Sequence, residues 1–252
     1  MIKPHIHVPY DGINTYLPFV QKEKLNLEIY FGSSHFDDFK KADVTELKNK
    51  LSYTPEFTIH APFMDLSPGA VDSKVRDITA RRFSDVLDFA RILESRVVVF
   101  HSGYDKWKYD SRVDIWLEGS LKTWEPLVRK AETAGIKIAI ENIFEDEPTH
   151  LELLVNEIKS DYFGLCFDSG HFNVFSRIPL SDWLEVVKPY IFELHLHDNL
   201  KDEDSHFAIG DGNFDFDALF KELKGTECFY TIEARSVEDV KKSIENLKGY
   251  LE

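Results

Sequence analysis

At 252 residues the chain is long enough for one large domain or two small ones, and a barrel of alternating strands and helices typically takes about 250. Hydrophobic residues at 43% and charged residues at 30% are the composition of an ordinary globular protein with a sizeable core. The net charge of −15, from 45 acidic against 30 basic side chains, opposes loose charge-driven adhesion to nucleic acid or anionic membrane, and the two cysteines exclude a disulfide framework.

No apolar run approaches the roughly 18–20 residues of a membrane span, and residues 1–5 lack the apolar centre of a secretory signal. A cytoplasmic location with no membrane partner is the expectation. The first predicted strand covers residues 6–8. The Pro9-Tyr10-Asp11-Gly12 segment after it is not a dinucleotide fingerprint. A short helix is predicted over 16–20, a second strand over 27–30, an acidic loop over 32–38 and a second short helix over 44–51. Six further apolar, β-branched-rich runs follow, and each stops on a side chain able to bind a metal or move a proton. Phe57-Thr58-Ile59 stops at His60, and Arg96-Val97-Val98-Val99-Phe100 at His101. Ile138-Ala139-Ile140 stops at Glu141, and Leu165-Cys166-Phe167 at Asp168, with His171 close behind. Ile191-Phe192-Glu193-Leu194 stops at His195, and Tyr230-Thr231-Ile232 at Glu233. Helical periodicity fills the intervals, over 75–93, 116–134, 151–158, 180–187, 216–223 and 237–251. Cys166 and Cys228 both fall in predicted buried strands and read as small core hydrophobes in a reducing compartment.

Eight strand–helix units with continuous apolar strands predict a parallel sheet covered on both faces and closed into a single (β/α)8 barrel spanning residues 1–252. In such a barrel the strand C-termini converge on one face. Long loops at 61–74, 102–110 and 196–215 are expected to build the site there. Singly, each strand-end acid or histidine reads as a salt-bridged or hydrogen-bonded structural residue. Arg235, for instance, is close enough in sequence to pair with Glu233. Together, Glu141, Asp168, His195 and Glu233 bring more negative charge to one face than structural pairing explains. A divalent cation resolves it, and three carboxylates with one imidazole suit Zn, Mn, Mg or Co. The Asp204-Ser205-His206 arm, followed by the Gly210-Asp211-Gly212-Asn213 turn, offers two more ligands that His171 would complete.

With these residues in hand, the chain resembles the xylose-isomerase-like barrel superfamily, which contains sugar isomerases and epimerases and also abasic-site DNA repair enzymes of the endonuclease IV type. The matching segments are His60-Ala61-Pro62, His101-Ser102-Gly103, Glu141-Asn142, Asp168-Ser169-Gly170-His171, His195-Leu196-His197-Asp198, Asp204-Ser205-His206 and Ile232-Glu233. In the isomerase–epimerase branch, the resemblance implies that Glu141, Asp168, His195 and Glu233 bind one metal, that the two glutamates also handle protons, and that His171 contacts the substrate. In the endonuclease branch it implies three zinc ions. His60, His101 and Glu141 would hold one, Glu141, Asp168, His195 and Glu233 the second, and His171, Asp204 and His206 the third.

Three functions are open. The favoured one is isomerisation or epimerisation of a small sugar or sugar phosphate, in which the metal polarises a carbonyl while one glutamate removes a proton and the other returns it. Lys201 falls near where the family uses a basic residue on the substrate, Arg235 is a further substrate contact, and Glu145 or Glu147 would orient His171 or a hydroxyl. The 104–109 loop, with Trp107, either stacks on the substrate or is an ordinary solvated loop. The alternative is zinc-dependent phosphodiester hydrolysis at abasic DNA, with nucleic acid as partner. The acidic balance argues against it, and Phe63, at a place suited to a wedge, reads as a core residue under its loop. The third is a non-catalytic metal- or sugar-binding barrel. A homo-oligomer is compatible with the chain, although no apolar stripe compels one.

Overall fold

The computed structural model describes residues 3–38 and 41–251. The part of the N-terminal expectation that concerns Met1 and Ile2 lies outside the described residues. Eight strands, β1 (His5–Pro9), β2 (Asn26–Tyr30), β3 (Phe57–His60), β4 (Val97–His101), β5 (Lys137–Glu141), β6 (Phe163–Asp168), β7 (Ile191–Leu196) and β8 (Phe229–Ile232), pair in chain order, all parallel. β8 returns to β1 and closes the barrel. The helices are α1 (Ile13–Glu23), α2 (His35–Asp38), α3 (Lys41–Lys50), α4 (Ser73–Leu93), α5 (Val113–Ala134), α6 (Thr149–Ile158), α7 (Ser169–Phe175), α8 (Leu180–Val187), α9 (Phe216–Glu222) and α10 (Val237–Leu251). Among the described residues, no helix is long and apolar enough to cross a membrane.

The run Val97-Val98-Val99-Phe100 illustrates why the strands read as unbroken apolar stretches. Val98 and Phe100 join the large core between barrel and helices, whereas Val97 and Val99 turn inward onto Ala139 and Cys166. Both faces are dry, so both must be apolar. The interior is asymmetric. Opposite that small apolar cluster, His5, Glu28, Thr58, Glu193 and Thr231 are all buried. A barrel interior ordinarily holds branched aliphatic layers; here half of it is polar, directly beneath the strand ends.

Register delivers the site residues. His101 is paired with Glu141, Asp168 with His195, and Tyr30 with His60. Glu233 follows one residue beyond the Leu196–Ile232 pair. Four short helical pieces were absent from the periodicity reading: α2, α7 and two 3-10 turns at Tyr10–Gly12 and Lys188–Tyr190. None is long enough to display a repeat. Cys228 corrects a second expectation, because β8 starts one residue later and the thiol is only half-buried.

The loop after β3 is pinned to α5. Thr123 Oγ1 donates to Pro68 O at 2.7 Å, and the backbones of Gly69 and Gly119 pack without room for a side chain. A Cβ on Gly119 would lie 2.6 Å from Gly69 O. Alanine at a helix interior is intrinsically favoured over glycine by roughly 1 kcal/mol, but this contact involves backbone that cannot swing away. Gly119→Ala is therefore expected to destabilise the fold by about 1–3 kcal/mol, read as a lower urea midpoint. An unchanged or higher midpoint would contradict this packing.

Candidate metal centre

The strand ends enclose a cavity of about 350 Å3. Five imidazoles (His7, His60, His101, His171, His206) and three carboxylates (Glu141, Asp204, Glu233) line it, together with Pro9, Tyr30, Phe63 and Met64. Among the described residues, no lysine or arginine lines it. A larger groove, about 860 Å3, opens at the opposite end of the barrel beside Lys3 and Pro4, and its described lining holds no acid–imidazole cluster.

The centre is organised around His195, which is fully buried. Its Nδ1 lies 3.1 Å from Glu141 Oε1, 3.0 Å from Glu233 Oε1 and 3.9 Å from Asp168 Oδ2. The second oxygen of Glu141 lies 3.3 Å from His60 Nε2 and 3.2 Å from His101 Nε2. On the far side, Asp204 Oδ2 is 3.4 Å from His171 Nε2 and 3.0 Å from His206 Nε2, and His206 Nδ1 is 3.5 Å from Glu233 Oε2. Seven of the nine residues implied by the family resemblance line the cavity, and the other two, Asp168 and His195, lie within 3.0–3.4 Å of lining residues.

Several of these close approaches are not hydrogen bonds. Glu141 Oε2 and Glu233 Oε1 are buried and have no properly aligned donor, although imidazole nitrogens stand within 3.0–3.3 Å. Such groups point at a shared point rather than at each other. His60, Glu141, His195 and Glu233 each offer a ligand atom, all within 4.8 Å of one another, as do Asp168, His171 and His197. A divalent cation fits this donor set of carboxylate oxygens and imidazole nitrogens.

The electrostatics record the same crowding. Burial alone would raise the Glu141 carboxyl, but the imidazoles of His195, His101 and His171 outweigh it and hold it well below the usual carboxylate range. Burial likewise opposes the ionisation of Glu233, and His7 and His195 reverse that. Burial disfavours charge on His195. Cys166 and the carboxylates of Glu28, Glu233 and Glu141 more than offset it, so its pKa stands well above the ordinary value.

The turn after β6 is shaped for the site. Asp168 Oδ1 accepts the His171 backbone N–H at 2.6 Å and so caps α7, while Oδ2 accepts from His197 Nε2 at 3.0 Å. A Cβ on Gly170 would lie 2.0 Å from His197 Cε1, so only glycine fits between them. The long loop after β7 is stapled by Asp198, whose carboxylate accepts backbone N–H groups of Gly210, Gly212 and Phe214 at 3.1, 2.8 and 3.1 Å. Asp198 also forms an antiparallel bridge with Phe207, and the fold-back carries Asp204 and His206 to the cavity.

Other sequence-derived assignments are placed elsewhere. Trp107 is 84% exposed and lies outside the cavity lining, as does exposed Lys201. Arg235 donates to the backbone oxygen of Asp204 at 3.0 Å and does not pair with Glu233, whose neighbours are His7, His195 and His206. Glu145 is buried against Ser102, His150 and the Ile143 N–H rather than His171, and Glu147 binds Thr149. Phe63 is not a core residue: it lines the cavity and stacks on His101 with ring centroids 4.1 Å apart. Sequence reasoning missed His7, Glu28 and Glu193, and gave His197 no role. The signal for the first two was present: in His5-Ile6-His7-Val8 and Asn26-Leu27-Glu28-Ile29, polar residues alternate with apolar ones, which in a closed barrel aims them inward.

Comparison with known proteins agrees with this architecture. A D-tagatose 3-epimerase-like protein is 30% identical, with 98% of this chain and 97% of that one covered at a TM-score of 0.80. The TTHB071 protein from Thermus thermophilus, solved after soaking with ZnCl2, is 28% identical, with 99% and 98% covered and a TM-score of 0.82. The MJ1311 protein of Methanocaldococcus jannaschii is 34% identical over 82% of this chain and 73% of its own length. The same fold recurs at 14% identity in D-psicose 3-epimerase from Clostridium cellulolyticum H10 (TM-score 0.77) and at 17% in endonuclease IV from Thermus thermophilus (TM-score 0.68). The family model for the xylose isomerase-like TIM barrel matches residues 26–250, and the chain belongs to that family.

Proposed function

We propose that the chain is a divalent-metal-dependent epimerase or isomerase of a small, unphosphorylated sugar. The observation that carries this reading is the cavity lining, which brings the carboxylates of Glu141 and Glu233 together and contains no lysine or arginine among the described residues. A phosphate group on the substrate, or a DNA backbone, requires cationic partners. Three basic side chains of the surrounding loops are engaged elsewhere: Lys106 Nζ lies 2.7 Å from Asp146, Lys108 Nζ donates to Ser67 Oγ at 2.7 Å, and Arg235 binds a backbone oxygen. Tyr30, Phe63 and Met64 offer apolar surface suited to the C–H face of a sugar. The likeness to a D-tagatose 3-epimerase-like protein supports the same class.

Glu141, Asp168, His195 and Glu233 would hold the cation. A bound divalent ion supplies Lewis-acid polarisation of a carbonyl and its neighbouring hydroxyl. The protein does the rest. Glu141 and Glu233 are both buried at the cavity, where one would remove a proton from carbon and the other return it. His171, at the cavity wall with its Nδ1 hydrogen-bonded to Asn142 O at 3.1 Å, is oriented to contact a substrate oxygen.

A three-zinc hydrolase is the second reading, favoured by the convergence of His60, His101 and the Asp204–His206 arm on the same cavity. The two separate in one assay: metal-loaded protein is offered free ketoses, ketose phosphates and an abasic-site duplex. Epimerisation of a free ketose, with solvent deuterium appearing at the reacting carbon, is expected. Clean duplex incision that disappears in Glu141→Gln would overturn the assignment. Glu233→Gln is expected to cut turnover by about 10²–10⁴ while circular dichroism stays unchanged; near-normal turnover would remove this carboxylate from proton transfer. Asp204→Ala should leave deuterium exchange measurable, reduced no more than about 10–100-fold, with one tightly bound ion per chain. Complete loss of exchange together with loss of several zinc ions would point to the hydrolase.

A further inference from the structure

Glu28 is outside the four residues proposed to hold the cation, although its carboxylate also lies within 4.8 Å of potential ligand atoms of His7 and Glu233 and of Glu193 and His195; it is fully buried in the middle of β2. Its two oxygens face two different histidines. Oε2 lies 3.2 Å from His195 Nε2, and Oε1 lies 2.8 Å from His7 Nδ1. We infer that Glu28 is a positioning residue that locks His195 in the tautomer carrying its proton on Nε2, so that the bare Nδ1 faces Glu141, Asp168 and Glu233. This inference rests on the metal-binding part of the proposed function and not on the substrate.

A neutral imidazole has one N–H and one lone pair, and a carboxylate can only accept. With Glu28 against Nε2, the proton belongs on Nε2, and the lone pair is left on the nitrogen that three carboxylates surround. Without a cation both ring nitrogens face carboxylates, at 3.0–3.1 Å on Nδ1 and 3.2 Å on Nε2; a cation taken up by the Nδ1 lone pair leaves Nε2 to carry the proton, and Glu28 is the buried acceptor that satisfies it. Glu28 is itself held in place. His7 is its direct register partner across β1 and β2, and His7 Nδ1 lies 3.1 Å from Glu233 Oε1, which ties this support to another proposed ligand. The remaining buried acid of the floor does not compete for the task, because Glu193 Oε1 accepts from Thr58 Oγ1 at 3.1 Å and from Thr231 Oγ1. Orientation of a ligating histidine by a carboxylate on its other nitrogen typically changes metal affinity by about 10–100-fold.

The test uses the full chain and zinc alone. Zn²⁺ affinity is measured by chelator competition for the wild type and Glu28→Gln, with thermal melting as the control for folding. Glutamine keeps the shape but has one acceptor oxygen and no charge, so it cannot accept from both histidines. The expected result is roughly 10–100-fold weaker zinc binding with an intact fold. Nitrogen-15 histidine spectra of the zinc-loaded wild type should place the His195 proton on Nε2, and in zinc-loaded Glu28→Gln the Nε2 signal should shift as its hydrogen bond to a carboxylate is lost, a change that a purely structural Glu28 would not produce. Equal zinc affinity in a folded Glu28→Gln, or a His195 proton on Nδ1 in the loaded wild type, overturns the role of Glu28 while leaving the metal centre standing. A wild type with no zinc affinity overturns both.

Discussion

Like charge held in a dry volume is the constraint on which this structure turns. Glu28, Glu141, Asp168 and Glu233 are buried at one end of the barrel, and a lone carboxylate there would carry a desolvation penalty of several kcal/mol. The neighbouring imidazoles answer that charge. His7, caught between Glu28 and Glu233, is pushed up to about 10 even though burial works against its protonation. Glu28 is held down to about 2 against the same effect of burial, by His195 and His7. Glu193, further into the floor, goes the other way: burial and the charge of Glu28 push it up to about 8, so it sits as a neutral acid bonded to two threonines. Burial and neighbouring charge thus push Glu28 and Glu193 in opposite directions. Imidazolium protons and a divalent cation are alternative ways to balance the ionised carboxylates, which makes them competitors for the same nitrogens.

The fold and the centre share residues. Asp168 ends a strand, caps the following helix with one oxygen and faces the centre with the other. Asp198 never enters the cavity, yet three backbone N–H groups on its carboxylate hold the loop whose arm delivers Asp204 and His206. Mobile loops are a poor foundation for metal geometry. Here the long loop that carries ligands is tied down by charge-assisted hydrogen bonds, and the glycine before His171 makes room for His197 rather than adding freedom.

The barrel was legible because its strands are dry on both faces, so apolar runs and the polar residue ending each one stood out. Ligand types at the ends of β3 to β8 were readable for the same reason. His7 and Glu28 were harder: they lie within strands, where an inward-facing polar residue looks like ordinary alternation unless closure of the barrel is already assumed. Loop residues resisted prediction for a different reason. Nothing in the spacing of Lys201, Trp107 or Arg235 encodes direction, and each meets a local circumstance. Lys201 takes a left-handed backbone with φ of 68°, Trp107 stays in solvent beside Lys106, and Arg235 finds a backbone carbonyl. Glu145 was drawn into a buried cluster with Ser102 and His150 that binds two loops together, a partnership with a serine 43 positions away that no short-range pattern reveals.

Nine ligand-type side chains do not choose between proton transfer and phosphodiester hydrolysis, because both chemistries use the same donors. The proposed function rests on their surroundings. Hydrolysis of a nucleic acid needs compensation for several backbone phosphates outside the metal cluster itself. Nearby, Lys106, Lys108 and Arg235 are engaged with Asp146, Ser67 and a backbone oxygen, while Pro9, Tyr30, Phe63 and Met64 present apolar surface to whatever enters. An uncharged polyol loses little by leaving water for such walls and recovers its hydroxyl hydrogen bonds from the carboxylates and imidazoles. Beside its three carboxylates, the cavity lining has no lysine or arginine among the described residues. The proposed reading therefore rests on the side chains between the ligands more than on the ligands.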